Sequence, residues 1–385
     1  MIMAFPDYHG RSLVNLMASL RQRFADQSGP YAPLQTTQLE LTNYDQIVLL
    51  VIDGLGFHYL KESLSWLKHH CLQDMTSVFP STTAASITTF LTGVAPQQHG
   101  LTGWFTYLST LAQVTTVLPF TPRGSKNLLS EQGIDIGKLY NHPIFFDALN
   151  TQSYIVSPHW ILGSDFNRAH VGKATPVGYD SMDEMCSAIA HLLSSGEKQK
   201  YIYAYWPQFD HLSHVHGNGS EQVKQHFTQL STALDRMLKQ SRGRRSLILV
   251  TADHGFIDTT PEKMITVNDH PRLQECLRLP LCGEPRTAYC YLHPDKQEQF
   301  CDYVNNEFTD QIELVNSHDL IEQGVFGLGE PHPDLFNRVG DVTLMMKDNY
   351  VVKDWLESEE RFFHYGVHGG TSELEMFVPL VVLQT

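Results

Sequence analysis

Apolar residues in this chain fall into short unbroken runs, separated by longer stretches that carry their apolar positions on one face. Gln46–Ile52, Ser153–Val156, Tyr201–Trp206, Ser246–Thr251 and Met376–Leu383 are almost continuously aliphatic or aromatic. Runs of that length without alternation predict strands buried on both faces. Between Ser12 and Asp26, residues Leu13, Leu16, Met17, Leu20 and Phe24 recur at helical spacing behind a serine suited to capping. Ser181–Ser194 and Glu221–Gln240 carry helical patterns too. Buried strands alternating with helices predict an α/β fold, with a central, mostly parallel sheet and helices on both faces. The texture changes from Asp269 to Asp341. There "RTAYCYLHP", the helical "DKQEQFCDYVNNEF", "IELV" and then "DVTLMM" predict a small α+β insertion. The expected organisation is a catalytic α/β domain over 1–268 and 342–385, capped by an insertion over 269–341.

Composition adds bounds. At 385 residues and 42% hydrophobic the chain can bury a substantial core. No run approaches the roughly 18 apolar residues of a membrane span. The start, "MIMAFPDYHGRSLVNL", lacks the basic-then-apolar order of a signal peptide. Six scattered cysteines without a CxxC pair suit free thiols in a reducing compartment, so the expected location is cytoplasmic. A net charge of −15 argues against binding long nucleic acid, which needs clustered Lys and Arg. The 20 histidines make metal a candidate.

In open parallel sheets, ligands bind at the carboxyl ends of the strands. The first strand runs into Asp53 in "VLLVIDGLGF". "SVFPSTTAASITTFLTG" follows, in which Pro80 breaks the chain and Thr82–Thr92 reads as a helix stopped by Gly93. A hydroxyl in that first turn sits at the positive end of the helix dipole, a place that favours a phosphate or an alkoxide. Spacing alone leaves Thr82 and Thr83 equivalent, and either is also an ordinary capping residue. "YIYAYWPQFDHLSHVHG" sets Asp210 and His214 one helical turn apart. "VTADHGFIDTT" ends a strand in Asp253–His254, and "FFHYGVHGGTSELEMFVPLVV" places His368 before glycines ahead of the last strand. Each is unremarkable alone. Together they put six oxygen and nitrogen ligands at one sheet edge, suited to zinc or manganese. Trp104, Phe105 and Tyr107 in "HGLTGWFTYL" are either core or a wall for the substrate. Arg168 and Lys173 are further candidates for approaching a substrate, and His270 for a supporting role.

The ordered set "VIDG", "FPSTTA", "FDHLSHVHG", "TADHG" and "HGG" resembles the alkaline phosphatase superfamily, and within it the type I phosphodiesterase/nucleotide pyrophosphatase branch. The resemblance implies two zinc ions and a threonine nucleophile. Counted from Phe79–Pro80, that nucleophile is Thr83. It further implies that Asp53, Asp253, His254 and the Thr83 oxygen hold one ion, and that Asp210, His214 and His368 hold the other. Ser86 stands where the branch commonly has an asparagine touching a phosphoryl oxygen, so a hydrogen bond from Ser86 to substrate is expected. No arginine adjoins Thr83, where the monoesterases clamp a free phosphate group, and this favours diesters. The implied reaction is hydrolysis of a small phosphodiester or pyrophosphate, such as a nucleotide or its conjugate, through a phospho-threonine intermediate. Two bound dications would also let so acidic a chain accept phosphate. The alternatives are a phosphonate hydrolase or phosphomonoesterase of the same superfamily, or a relative that binds metal without turnover.

Overall fold

A computed structural model describes residues 3–195, 198–241 and 245–385. Two seven-stranded sheets organise them. The first has the order Cys71–Thr76, Phe377–Gln384, Ser246–Thr251, Gln46–Ile52, Lys200–Trp206, Gln152–Pro158, Thr175–Tyr179. Its five strands from Ser246–Thr251 onward run parallel. Phe377–Gln384 joins antiparallel to Ser246–Thr251, and Cys71–Thr76 antiparallel to it in turn. Every residue of the three central strands is buried, because helices cover both faces. The continuous aliphatic runs are the imprint of that double coverage. Thr175–Tyr179 and Cys71–Thr76 lie at the two edges and are mostly part-exposed, so their mixed polarity gave no strand signal.

Leu13–Phe24, Met182–Ser194 and Glu221–Gln240 form the expected helices. The longest turns Val223, Phe227, Leu230, Leu234 and Met237 into the main core at helical spacing.

The second sheet is antiparallel throughout, in the order Ile312–Asn316, Val342–Met346, Thr287–Cys290, Cys282–Glu284, Phe105–Leu108, Gln113–Thr116, Thr121–Pro122. It extends past both ends of the 269–341 segment expected as the insertion. Val342–Met346 is one of its interior strands, and the hairpin over 105–116 joins through the pairing of Phe105 with Gly283. That join links segments almost 180 residues apart and leaves no local trace. Helix Gln297–Glu307 packs Phe300 and Val304 into a separate small core under this sheet. Among the described residues all six cysteines are free, and no helix is long and apolar enough to cross a membrane.

Candidate active site

Three adjacent parallel strands end in the same place. Gln46–Ile52 lies between Ser246–Thr251 and Lys200–Trp206, with Val51 level with Thr251 and Ile52 level with Trp206. Asp53 follows the first strand directly, Asp253–His254 follow the second after one residue, and helix Gln208–His216 starts just beyond the third. The backbone is crowded here. A Cβ on Gly54, whose φ is +78°, would lie 2.3 Å from the Phe256 ring. One on Gly255 would lie 2.1 Å from the Leu374 carbonyl oxygen. Gly255 therefore serves close approach of two chain segments.

The six carboxylates and imidazoles converge. His254 Nε2 stands 3.3 Å from Asp53 Oδ1 and 3.4 Å from Asp253 Oδ2. His214 Nε2 lies 3.4 Å from Asp210 Oδ1 and 3.2 Å from His368 Nε2, and His368 Nε2 lies 3.8 Å from Asp210 Oδ1. His254 Nε2 and Asp210 Oδ1, 3.9 Å apart, join the two groups. Which atoms carry protons follows from the other side of each ring. His254 Nδ1 faces the Gly255 carbonyl at 3.0 Å and His214 Nδ1 faces the Gly366 carbonyl at 2.8 Å, so both Nδ1 atoms donate. Their Nε2 atoms then present lone pairs to carboxylate oxygens.

Asp53 Oδ1, Asp210 Oδ1 and Asp253 Oδ2 are buried without a hydrogen-bond partner. Lone pairs facing lone pairs at this depth call for a cation, and these donors suit zinc or a similar divalent ion. Asp53, Asp253 and His254 form one group with metal-ligand spacing, and Asp210, His254 and His368 another. Without a cation the charges oppose one another. Burial, then Asp210 and Asp253, raise the Asp53 carboxyl well above the usual range. Burial and Asp253 do the same to Asp210. Burial holds His214 and His368 far below an ordinary histidine. The remaining oxygens are anchored: Asp53 Oδ2 accepts from the Tyr205 hydroxyl, and Asp253 Oδ1 accepts from the Gly54 and His254 amides at 3.0 Å.

The two threonines separate. Thr83 opens helix Thr83–Thr92 and holds its Oγ1 3.1 Å from His254 Nε2, against the cluster. The Thr82 hydroxyl donates instead to Glu284 Oε1 at 2.5 Å. Ser86 faces away from the cavity. It is fully buried, its Oγ is 3.1 Å from Ser77 Oγ, and it takes no part in the cavity wall. The cavity face of the helix is Thr83, Ile87 and Leu91, a four-residue repeat that turns position 86 inward. Ser86 braces the site, since Ser77 donates to the Asp253 carbonyl.

A cavity of about 850 Å³ opens over the cluster, of a size for a small molecule. Trp104, 37% exposed, and Phe105 belong to its wall, whereas Tyr107 packs against Tyr291. Arg168, Lys173 and His270 do not reach it. Lys173 Nζ donates to the Asp147 carbonyl, and His270 Nδ1 meets the Tyr303 hydroxyl at 3.0 Å. Two wall residues carried no sequence signal: Glu284 in "LPLCGEPR" and Lys353 in "VVKDW". Neither lies at an end of the main sheet, so reading strand ends could not find them.

A model of the type I phosphodiesterase/nucleotide pyrophosphatase family matches residues 47–371. The chain belongs to this family. Like the family, it falls in the alkaline phosphatase superfamily and among hydrolases, as the resemblance implied. Solved structures of similar fold include murine ectonucleotide pyrophosphatase/phosphodiesterase 5, at 14% identity, 87% coverage of both chains and a TM-score of 0.66. The murine protein has also been solved as an inactive threonine-to-alanine variant in complex with AMP, with the same identity, coverage and TM-score. Phosphonoacetate hydrolase from Sinorhizobium meliloti, in complex with phosphonoacetate, is 16% identical, with 88% and 89% coverage and a TM-score of 0.62. No protein of curated function matches this member of the type I phosphodiesterase family.

Proposed function

We propose that this chain hydrolyses a small phosphodiester or pyrophosphate, such as a nucleotide or its conjugate, with two divalent cations and with Thr83 as nucleophile. The observation that carries the reading is the convergence of buried, unpartnered carboxylate oxygens and imidazole lone pairs directly against the Thr83 hydroxyl. Asp53, Asp253 and His254, with the Thr83 oxygen, would hold one cation, and Asp210, His214 and His368 the other. Zinc is the first choice and manganese the second. Bound there, the cations would lower the pKa of the Thr83 hydroxyl and offset the charge of the phosphoryl group and leaving oxygen. Thr83 attacks phosphorus in line, the phosphorus–oxygen bond to the alcohol or nucleotide breaks, and the phosphoryl group rests on the Thr83 oxygen. Water then attacks from the vacated side and restores the hydroxyl. The unpaired N–H groups of the first helical turn support the phosphoryl oxygens. The murine relative described as an inactive threonine-to-alanine variant with AMP supports both a threonine nucleophile and a nucleotide substrate. The second sheet and its flanking loops act as the cap, through Glu284, Pro285 and Lys353 on the cavity wall. The six free cysteines support a cytoplasmic location.

The test is a panel of aryl diester, aryl monoester, dinucleotide and phosphonoacetate on zinc-loaded protein. Diesters should turn over fastest, and Thr83→Ala should lose on the order of 10³-fold or more in kcat while keeping its metal. Asp253→Ala and Asp210→Ala should each lose about one of roughly two zinc ions per chain. Retained turnover in Thr83→Ala moves the nucleophile elsewhere, and unchanged metal content overturns the ligand assignment.

A further inference from the structure

Beyond the Asp/His cluster the cavity wall is largely apolar, and among the described residues Lys353 is its one lysine or arginine. Lys353 ends strand Val351–Lys353, which runs beside Met264–Thr266, away from the main sheet. Its ammonium sits 4.1 Å from the centroid of Phe362 and 4.9 Å from that of Trp355. Among the described residues no hydrogen bond or ion pair holds it. The nearby acids are taken. Arg123 pairs with Asp354 at 2.7 Å and with Glu359 at 2.9 Å. Glu284 Oε1 accepts from the Thr82 hydroxyl and, at 2.7 Å, from the Trp104 amide. Burial pushes the Lys353 pKa down to about 8, with Glu284 and Glu359 opposing and Arg123 assisting. Aromatic faces steady such a cation without neutralising it. Partly withdrawn from water and facing a substrate-sized cavity, this ammonium has no carboxylate at ion-pair distance among the described residues.

We propose that Lys353 binds an anionic group of the substrate other than the reacting phosphoryl group, so that the site selects esters carrying a second negative charge. A neighbouring phosphate and a carboxylate share that chemistry. The inference rests on the hydrolase reading above. It adds a cation on the cap side, opposite in origin to the metal ligands of the main sheet, that fixes which end of a charged substrate points outward. The apolar wall around it excludes water and strengthens the contact.

The experiment compares kcat/KM of metal-loaded wild type, Lys353→Met and Lys353→Arg on three substrates. Bis-para-nitrophenyl phosphate has no second charge, diadenosine pyrophosphate has a second phosphate, and a para-nitrophenyl carboxyethyl phosphate has a carboxylate. Lys353→Met should lose about 10- to 100-fold on one or both doubly charged substrates, mainly through KM. It should change roughly threefold or less on the singly charged diester, and Lys353→Arg should recover most of the loss. The affected arm identifies phosphate or carboxylate. Equal loss on all three substrates assigns Lys353 to packing against Trp355 and Phe362 and overturns the proposal, as does no loss on any. Should wild type hydrolyse none of them, the hydrolase reading falls, and calorimetric titration with inorganic pyrophosphate and with succinate decides the role of Lys353. Weaker binding of either anion by Lys353→Met sustains it, and equal binding of both sinks it.

Discussion

Arg286 and Glu375 form a buried ion pair that ties the second sheet to the loops carrying His254 and His368. Arg286 is 1% exposed and Glu375 is fully buried. Two bonds join them, Nε to Oε1 at 3.0 Å and an amino group to Oε2 at 2.8 Å. Glu375 also accepts from the Gly370 amide at 2.8 Å and the Ser372 hydroxyl at 2.6 Å, and its carbonyl accepts from the Gly255 amide at 2.7 Å. Removing one partner of a buried pair strands the other, at about 3–5 kcal/mol. Arg286→Met leaves Glu375 with two donors, which puts its cost near the low end, about 3 kcal/mol. Glu375→Leu strands the guanidinium and also the Gly370 amide and Ser372 hydroxyl, so its cost lies near the high end, about 5 kcal/mol. The double variant strands no charge, and its loss should fall short of the sum by at least about 1.5 kcal/mol. Urea unfolding of metal-free protein at neutral pH measures all three, with m-values checked for constancy. Additive losses, or a single variant costing under about 1 kcal/mol, would refute the reasoning, because the pair would then behave as an exposed one. Zinc titration supplies a second readout: affinity should drop on the order of tenfold in Arg286→Met, since two ligand-bearing loops lose their common anchor.

Ser86→Ala should leave KM for every ester within roughly twofold while lowering stability by about 1 kcal/mol, because Ser86 touches Ser77 and no part of the cavity wall; a tenfold rise in KM would return it to substrate binding. The advantage of doubly charged substrates in wild type should fade as pH rises through about 8, to which partial burial lowers the Lys353 pKa, and stay flat in Lys353→Arg, whose guanidinium keeps its proton. Glu284, pushed up to about 7 by burial, ionises just below that window, so the profile is repeated in Glu284→Gln to separate the two. The sign for stability agrees: the lysine pKa is lowered on folding, the unfolded chain binds more protons between the two values, and the penalty for burying this ammonium shrinks as pH rises past about 8. A wild-type preference that holds at high pH would exclude Lys353 as its source.

The sequence by itself determined the five inner strands of the main sheet and the metal-ligand candidates, for one physical reason. Strands buried on both faces must be continuously apolar, so their ends are visible, and polar residues immediately after such runs are conspicuous. Asp53, Asp253 and His254 could be read because each lies within three residues of a fully buried strand, and Asp210 with His214 because a helical turn aligns them. Edge strands such as Thr175–Tyr179 could not, because half-covered positions mix polar and apolar residues. Tertiary structure alone decided what depends on distant segments meeting. It turned Ser86 inward, gave the Thr82 hydroxyl to Glu284 and that of Thr83 to His254, and closed the second sheet through Phe105 and Gly283. It also brought Lys353, on a strand outside the main sheet, to the cavity wall. A side chain's neighbours along the chain say which face it occupies, whereas the residue it faces across a cavity is set by packing between elements that share no local pattern.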